Sequence, residues 1–149
     1  MMSMKCKYAI KALISLAANY KKGYMHTADI ATAENIPKKF LEQILLDLKH
    51  AKFVNSKQGS KGGYYLLKEP KQVSVADVYR IFDGAISLLP CVSLNFYEKC
   101  DDCNDEKTCS LRREFIKIRE GARVVMSKTN IQSFLKEEKR TEKKQKKYA

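Results

Sequence analysis

The chain has 149 residues, 44% hydrophobic and 9% aromatic with no Trp, which allows one medium domain or a small domain with an accessory element, around a modest core. Its net charge of +12 is unevenly placed: residues 1–73 carry 13 basic and 5 acidic side chains, residues 74–135 carry 9 of each, and residues 136–149 carry 7 and 3. A basic N-terminal half before a neutral middle points to a polyanionic partner for one part and a different task for the rest, while no run approaches the ~20 apolar residues of a membrane span.

Residues 5–21 read as a helix, with Ala9, Ala12, Leu13, Leu16, Ala17 and Tyr20 at helical spacing and Gly23 beyond its end. Lys5 and Lys7 ahead of Ala9, Ile10, Leu13, Ile14 and Leu16 imitate a secretory leader, but Lys11 interrupts the apolar run, so no membrane partner and a cytoplasmic location are expected. Thr27 suits the N-cap of a short helix over 28–34, with Asp29 in its first turn. Asn35 and Ile36 then turn the chain. Pro37 fits the first position of the next helix, which runs to about Lys52 with Leu41, Ile44, Leu45 and Leu48 inward. Two short helices joined by a tight turn, the second showing basic and amide side chains outward, make a helix-turn-helix.

Phe53 to Lys57 and Tyr64 to Leu67 read as two short strands around Gly59-Ser60-Lys61-Gly62-Gly63, a β-hairpin with a basic, glycine-rich tip. A helix-turn-helix followed at once by such a hairpin is a winged helix. Ser74 then caps a helix carrying Val75, Val78, Tyr79 and Phe82, ended by Gly84. The fold class is therefore mainly α with a small β-hairpin wing. Residues 1–84 form the winged helix-turn-helix domain, and 85–110 a cysteine loop without clear periodicity. From Ser110 the spacing turns helical again: Leu111, Phe115, Ile118, Ala122 and Val125 make a coiled-coil-like seam of about two heptads. A long terminal helix on a small DNA-binding domain favours packing against its twin, so residues 111–136 are expected as a dimerisation helix in a homodimer. Residues 137–149, rich in Lys and Glu without an apolar stripe, are expected to be a basic disordered tail.

Four cysteines fall in the loop. Cys100-x2-Cys103 lets two sulfurs converge on one metal, and Cys91 and Cys109 are near enough to supply two more. Three readings compete. The first is an iron–sulfur cluster of the 2Fe–2S or 4Fe–4S type. Zinc bound by four thiolates is the second, and a metal-free thiol switch or inert cysteines the third. Asp101, Asp102, Asp105 and Glu106 should raise neighbouring thiol pKa values, which disfavours a free thiolate but suits a bound cation. Cys6, on the first helix, reads as a small core residue.

An enzyme finds little support. The only histidines, His26 and His50, stand apart from the cysteines and acids in sequence, and residues 59–63 lack the Lys-Ser/Thr of a phosphate loop.

The ordered set Lys7-Tyr8-Ala9-Ile10-Lys11-Ala12-Leu13, Ile30-Ala31, Phe40-Leu41-Glu42-Gln43-Ile44-Leu45 and Gly62-Gly63-Tyr64-x-Leu66, followed by cysteines before a long helix, resembles the bacterial regulator family that includes IscR, NsrR and CymR. The resemblance covers roughly residues 4–135. It implies a homodimeric winged-helix transcription factor, often a repressor, on a palindromic operator in double-stranded DNA, with the recognition helix in the major groove and the wing in the minor groove.

The matching recognition positions are Lys38, Lys39, Glu42 and Gln43, and the wing positions Lys57, Ser60, Lys61, Gly62 and Gly63. The chemistry agrees: Gln43 can read adenine, Glu42 can accept from cytosine, Lys38 and Lys39 can meet guanine or phosphate, and Lys57 and Lys61 phosphate or the minor groove. Family members with a cluster use three cysteines and a variable fourth ligand. Cys91 and Cys103-x5-Cys109 match those three, whereas Cys100 departs from the pattern. Arg112 stands where IscR-like members place a histidine, so the extra thiol is left as a candidate fourth ligand or a spare.

Overall fold

The computed structural model describes residues 2–148, which form six α-helices and one two-stranded antiparallel sheet. Helix α1 (Met4–Ala18) is capped by Ser3, whose Oγ accepts from the Cys6 amide at 3.0 Å. Its buried face, Cys6, Ala9, Ala12, Leu13 and Leu16, makes α1 the central rod of the core. Around it pack α2 (Thr27–Glu34), α3 (Lys38–His50), the hairpin β1 (Val54–Lys57) and β2 (Gly63–Leu66), α4 (Val75–Phe82) and the start of α6 (Ile131–Tyr148).

The helix expected over 5–21 ends at Ala18. Lys21 and Gly23 then take positive φ values of 61° and 129° and reverse the chain. Thr27 is the first residue of α2 rather than its cap, because the extended His26 precedes it and makes no side-chain cap bond. Met25, one residue earlier, is held by reciprocal backbone bonds with Tyr64 at 2.9 and 2.8 Å, which fixes where the helix begins. Asn35 closes α2 in the left-handed region at φ 53°, its amide bonding back to Ala31 and Thr32, and Pro37 is the N-cap of α3. Ser74 caps α4 as expected, in a reciprocal capping box with Asp77.

The single helix expected over 111–136 is two. Helix α5 (Ser110–Lys128) stops at Thr129, where the backbone turns to pair with the strand-like segment before α4. The Val75 amide donates to Thr129 O at 2.8 Å and the Ile131 amide to Val73 O at 3.0 Å, while Asn130 Oδ1 accepts from the Ser133 amide that opens α6. Ile131 and Leu135 are then buried against the core. Residues 137–148, expected as an unfolded tail, continue α6 as a helix, exposed over 137–145. Their Lys, Glu, Gln and Arg residues are good helix formers, and Arg140 pairs with Glu137 one turn back. Ala149 lies outside the described residues.

None of the residues of α5 is fully buried. Arg112, Phe115, Arg119, Arg123 and Met126 are half-buried on the side facing the rest of the chain. Leu111, Ile118, Ala122 and Val125, four of the five seam positions, are exposed on the other.

Candidate functional site

Lys38, Lys39, Glu42 and Gln43 all lie on the exposed face of α3, opposite Leu41, Ile44, Leu45 and Leu48, each 0% exposed. The buried row locks the helix to the core, and the outer row is free to meet a groove. Gln43 Nε2 donates to Asp47 Oδ1 at 3.0 Å, and Asp47 also pairs with Lys5 at 2.7 Å. Burial works against the Asp47 carboxylate, but hydrogen bonds from Lys5 and Gln43 outweigh it and hold its pKa below the usual value. The Asp47 carboxylate thus holds the Gln43 amide in place on the outer face of α3.

The hairpin stands beside α3. Lys49 Nζ donates to Ser56 Oγ at 2.7 Å, tying the helix to β1. Lys57, Ser60 and Lys61 are exposed at the tip, which the Gly62 amide closes by donating to Gly59 O at 3.0 Å. Gly62 and Gly63 serve the backbone. A Cβ on Gly62 would lie 2.1 Å from Lys57 O, and one on Gly63, whose φ is +134°, would lie 2.5 Å from Met25 O. Their lack of a side chain lets the wing close and lean on the residues leading into α2. The sequence reading missed Tyr24 and Tyr65, which pack edge to face at 5.4 Å, and the seat of Lys57 Nζ over the Tyr24 ring at 5.6 Å. Only the wealth of tyrosine around the turns hinted at this prop, which fixes the root of the wing.

The five cysteines are free thiols, with Cys91 buried and Cys100, Cys103 and Cys109 half-buried. The four loop cysteines associate in pairs. The neighbouring Cys91 thiol, with burial and Asp102 behind it, pushes the pKa of Cys100 up to about 11. Burial and a hydrogen bond with Cys109 likewise raise Cys103. Of the four acids expected to raise these thiols, Asp102 acts on Cys100 and Glu106 on Cys103, both as lesser causes than burial and thiol–thiol contact, while the Asp105 backbone lowers Cys103. Among the described residues no three Cys, His, Asp or Glu side chains converge as a single-ion cage. Four thiols in one loop are a donor set suited by its chemistry to iron or zinc.

Two arginines hold this loop to α5. Cys109 caps the helix, its Sγ accepting from the Arg112 amide at 3.4 Å, while Arg112 Nε donates to Cys91 O at 3.2 Å. One turn and more along, Arg119 Nη1 donates to Val92 O at 2.6 Å. These clamps join residues more than twenty positions apart, and no local pattern announces them.

No helix is long and apolar enough to cross a membrane. A family model described as "iron-dependent transcriptional regulator" matches residues 2–137. The chain is 45% identical over 121 residues, 79% of its own length and 81% of the relative's, to a protein assigned as an rrf2-like HTH-type transcriptional regulator in Rhodobacter capsulatus. The structure of CymR, the global cysteine regulator of Bacillus subtilis, matches with a TM-score of 0.74 at 28% identity, covering 90% of this chain and 95% of that one. The oxidised form of Staphylococcus aureus CymR matches at 0.69 and 25% identity, over 90% and 94%. These relatives are regulators rather than enzymes, and the expected winged-helix fold is the one they share. The chain belongs to the Rrf2 family of DNA-binding transcriptional regulators.

Proposed function

We propose that the chain is a cytoplasmic, homodimeric repressor of a palindromic operator, whose grip on DNA is set by an iron–sulfur cluster on Cys91, Cys100, Cys103 and Cys109. The observation that carries this reading is the gathering of four free thiols in the loop that leads into α5, the helix that also shows the open apolar seam. Leu111, Ile118, Ala122 and Val125 gain a partner if two copies pack seam to seam. Lys38, Lys39, Glu42 and Gln43 then enter the major groove from each protomer, and Lys57, Ser60 and Lys61 reach the minor groove.

A bound cluster supplies iron that exchanges electrons and is open to attack by oxidants and nitric oxide. The chain does the rest. Thiolate ligation requires Cys100 and Cys103 to release protons that their surroundings retain, so loading is expected to weaken as pH falls. Ligation ties residues 100–109 to Cys91, and Arg112 and Arg119 fix that assembly to α5. Released thiols leave the loop held by those two arginines, and the spacing of the two recognition helices relaxes.

Anaerobic purification followed by iron, sulfide and zinc analysis and a visible spectrum tests the proposal. Stoichiometric iron and sulfide, with operator binding that changes when the cluster is removed, is the expected result. Zinc in place of iron, or operator binding indifferent to the cluster, overturns it.

A metal-free switch is the second reading, favoured by thiols already in hydrogen-bonded pairs and by similarity to a regulator solved in an oxidised form. Each pair would lose two protons and two electrons to a peroxide, giving disulfides Cys91–Cys100 and Cys103–Cys109. Peptide mapping after peroxide treatment of metal-free protein distinguishes these pairings from others.

A further inference from the structure

Where α4, the cysteine loop and α5 meet, a small half-open pocket is lined by Arg80, Gly84, Ser93, Asn95, Arg119 and Arg123 and, among the described residues, by no carboxylate. We propose that this pocket is a binding site for one small tetrahedral oxyanion, sulfate or phosphate, per protomer.

Three guanidinium groups from two helices converge on it. Arg80 comes from α4, and Arg119 and Arg123, four residues apart, come from one face of α5. Their acidic partners sit outside the lining. Asp77 takes Arg80 through a long 3.4 Å contact, and Glu120 takes Arg123 in a bidentate pair that engages Nε and Nη2 while its other contact, to Arg119 Nη2, is a distant 3.8 Å. Each guanidinium has five N–H donors, so all three keep some for a further acceptor.

The decisive atom is Arg119 Nε, which is buried and has no hydrogen-bond acceptor among the described residues, although the same guanidinium binds Val92 O. A buried charged donor left unpaired costs more than an ordinary lost hydrogen bond, and native structures rarely leave one. An oxyanion beside Arg119 satisfies it in a setting where three guanidinium groups face only two carboxylates, with the Asn95 amide as an additional donor. The space is far smaller than a drug-sized cavity, which restricts the ligand to an ion of this class. Bound there, the anion bridges the DNA-binding domain, the cysteine loop and α5. This inference does not depend on the metal content of the loop.

Calorimetric titration of the full chain with sodium sulfate, and separately sodium phosphate, at constant ionic strength made up with chloride, tests it. One saturable site per protomer is expected. Arg80→Gln and Arg123→Gln should each weaken binding by about tenfold, the loss of a charge-assisted contact. Arg80 is exposed and Arg123 only half-buried, so folding should survive, and melting without anion checks it. Lys38→Gln with Lys39→Gln should leave the site intact. Hydrogen exchange at residues 86–95 should slow with anion in the wild type alone. Tighter binding of one salt identifies which ion the site prefers. Non-saturating heats, or binding that survives both arginine changes, or binding lost with the lysine pair, overturns the site.

Discussion

The winged-helix half and the cysteine loop are built on opposite terms. In the first, every helix donates an apolar row to one cluster around α1, and the outward residues inherit their positions from that cluster. In the second, residues 85–109 hold a single 3-10 turn at Pro90–Val92, and Leu88, Leu94 and Phe96 are 70%, 65% and 61% exposed. Only Cys91, Val92 and Ser93 are buried there, pinned by arginines from α5. A region that satisfies itself is a platform, whereas one that leaves thiols and apolar side chains open waits for something else to complete it.

Truncation tests that contrast most strongly. Leu13→Ala, at a site with 0% exposure, should cost about 3 kcal/mol in chemical denaturation, as expected for a large cavity in a packed core. Leu94→Ala should change the stability of the metal-free protein by less than about 0.5 kcal/mol. A large loss at Leu94 would mean the loop packs more tightly than its exposure implies.

Replacing Cys103 and Cys109 by Ala should abolish the visible chromophore and the regulated change in operator binding. The melting of the metal-free protein should shift little, since both side chains are only half-buried. A regulated response that persists in this variant breaks the link between loop and wing.

Lys61→Ala, at the exposed tip of the wing, should weaken binding to all DNA sequences alike and lower the slope of log affinity against log salt by about one. A slope identical to wild type would remove Lys61 from the DNA contact.

The mildest test sharpens the contrast at a single thiol. Cys6 is 0% exposed, and burial, followed by the charge and hydrogen bond of Asp83, pushes its pKa up to about 12. Brief alkylation of the native metal-free protein at pH 8 should label the half-buried Cys100, Cys103 and Cys109 ahead of the buried Cys6, as mass spectrometry would show.

The same division governs what could be read from the residue order. The helices of the first half were legible because their apolar spacing reports a face that one core buries, and the wing because Gly59, Gly62 and Gly63 mark a turn few other residues could make. The break between α5 and α6 was not, since Thr129 and Asn130 leave the helix for backbone partners at Val73 to Val75, far back in the chain. Cys91, Cys100, Cys103 and Cys109 were visible as a group, but their pairing depends on how residues nine and six positions apart fold over each other. The arginine clamps were equally hidden, because Arg112 and Arg119 meet backbone carbonyls, which every residue possesses.

The junction at Thr129 to Ile131 also has a mechanical meaning. Two backbone bonds rivet the foot of α5 to the entrance of α4, and Ile131 drives into the core one step later. Such a joint transmits rotation rather than absorbing it. Under the proposed regulation, a swing of α5 would carry α4 and the α1 rod beneath α3 with it, which would make the joint the fulcrum of a lever between the thiols and the outer face of α3.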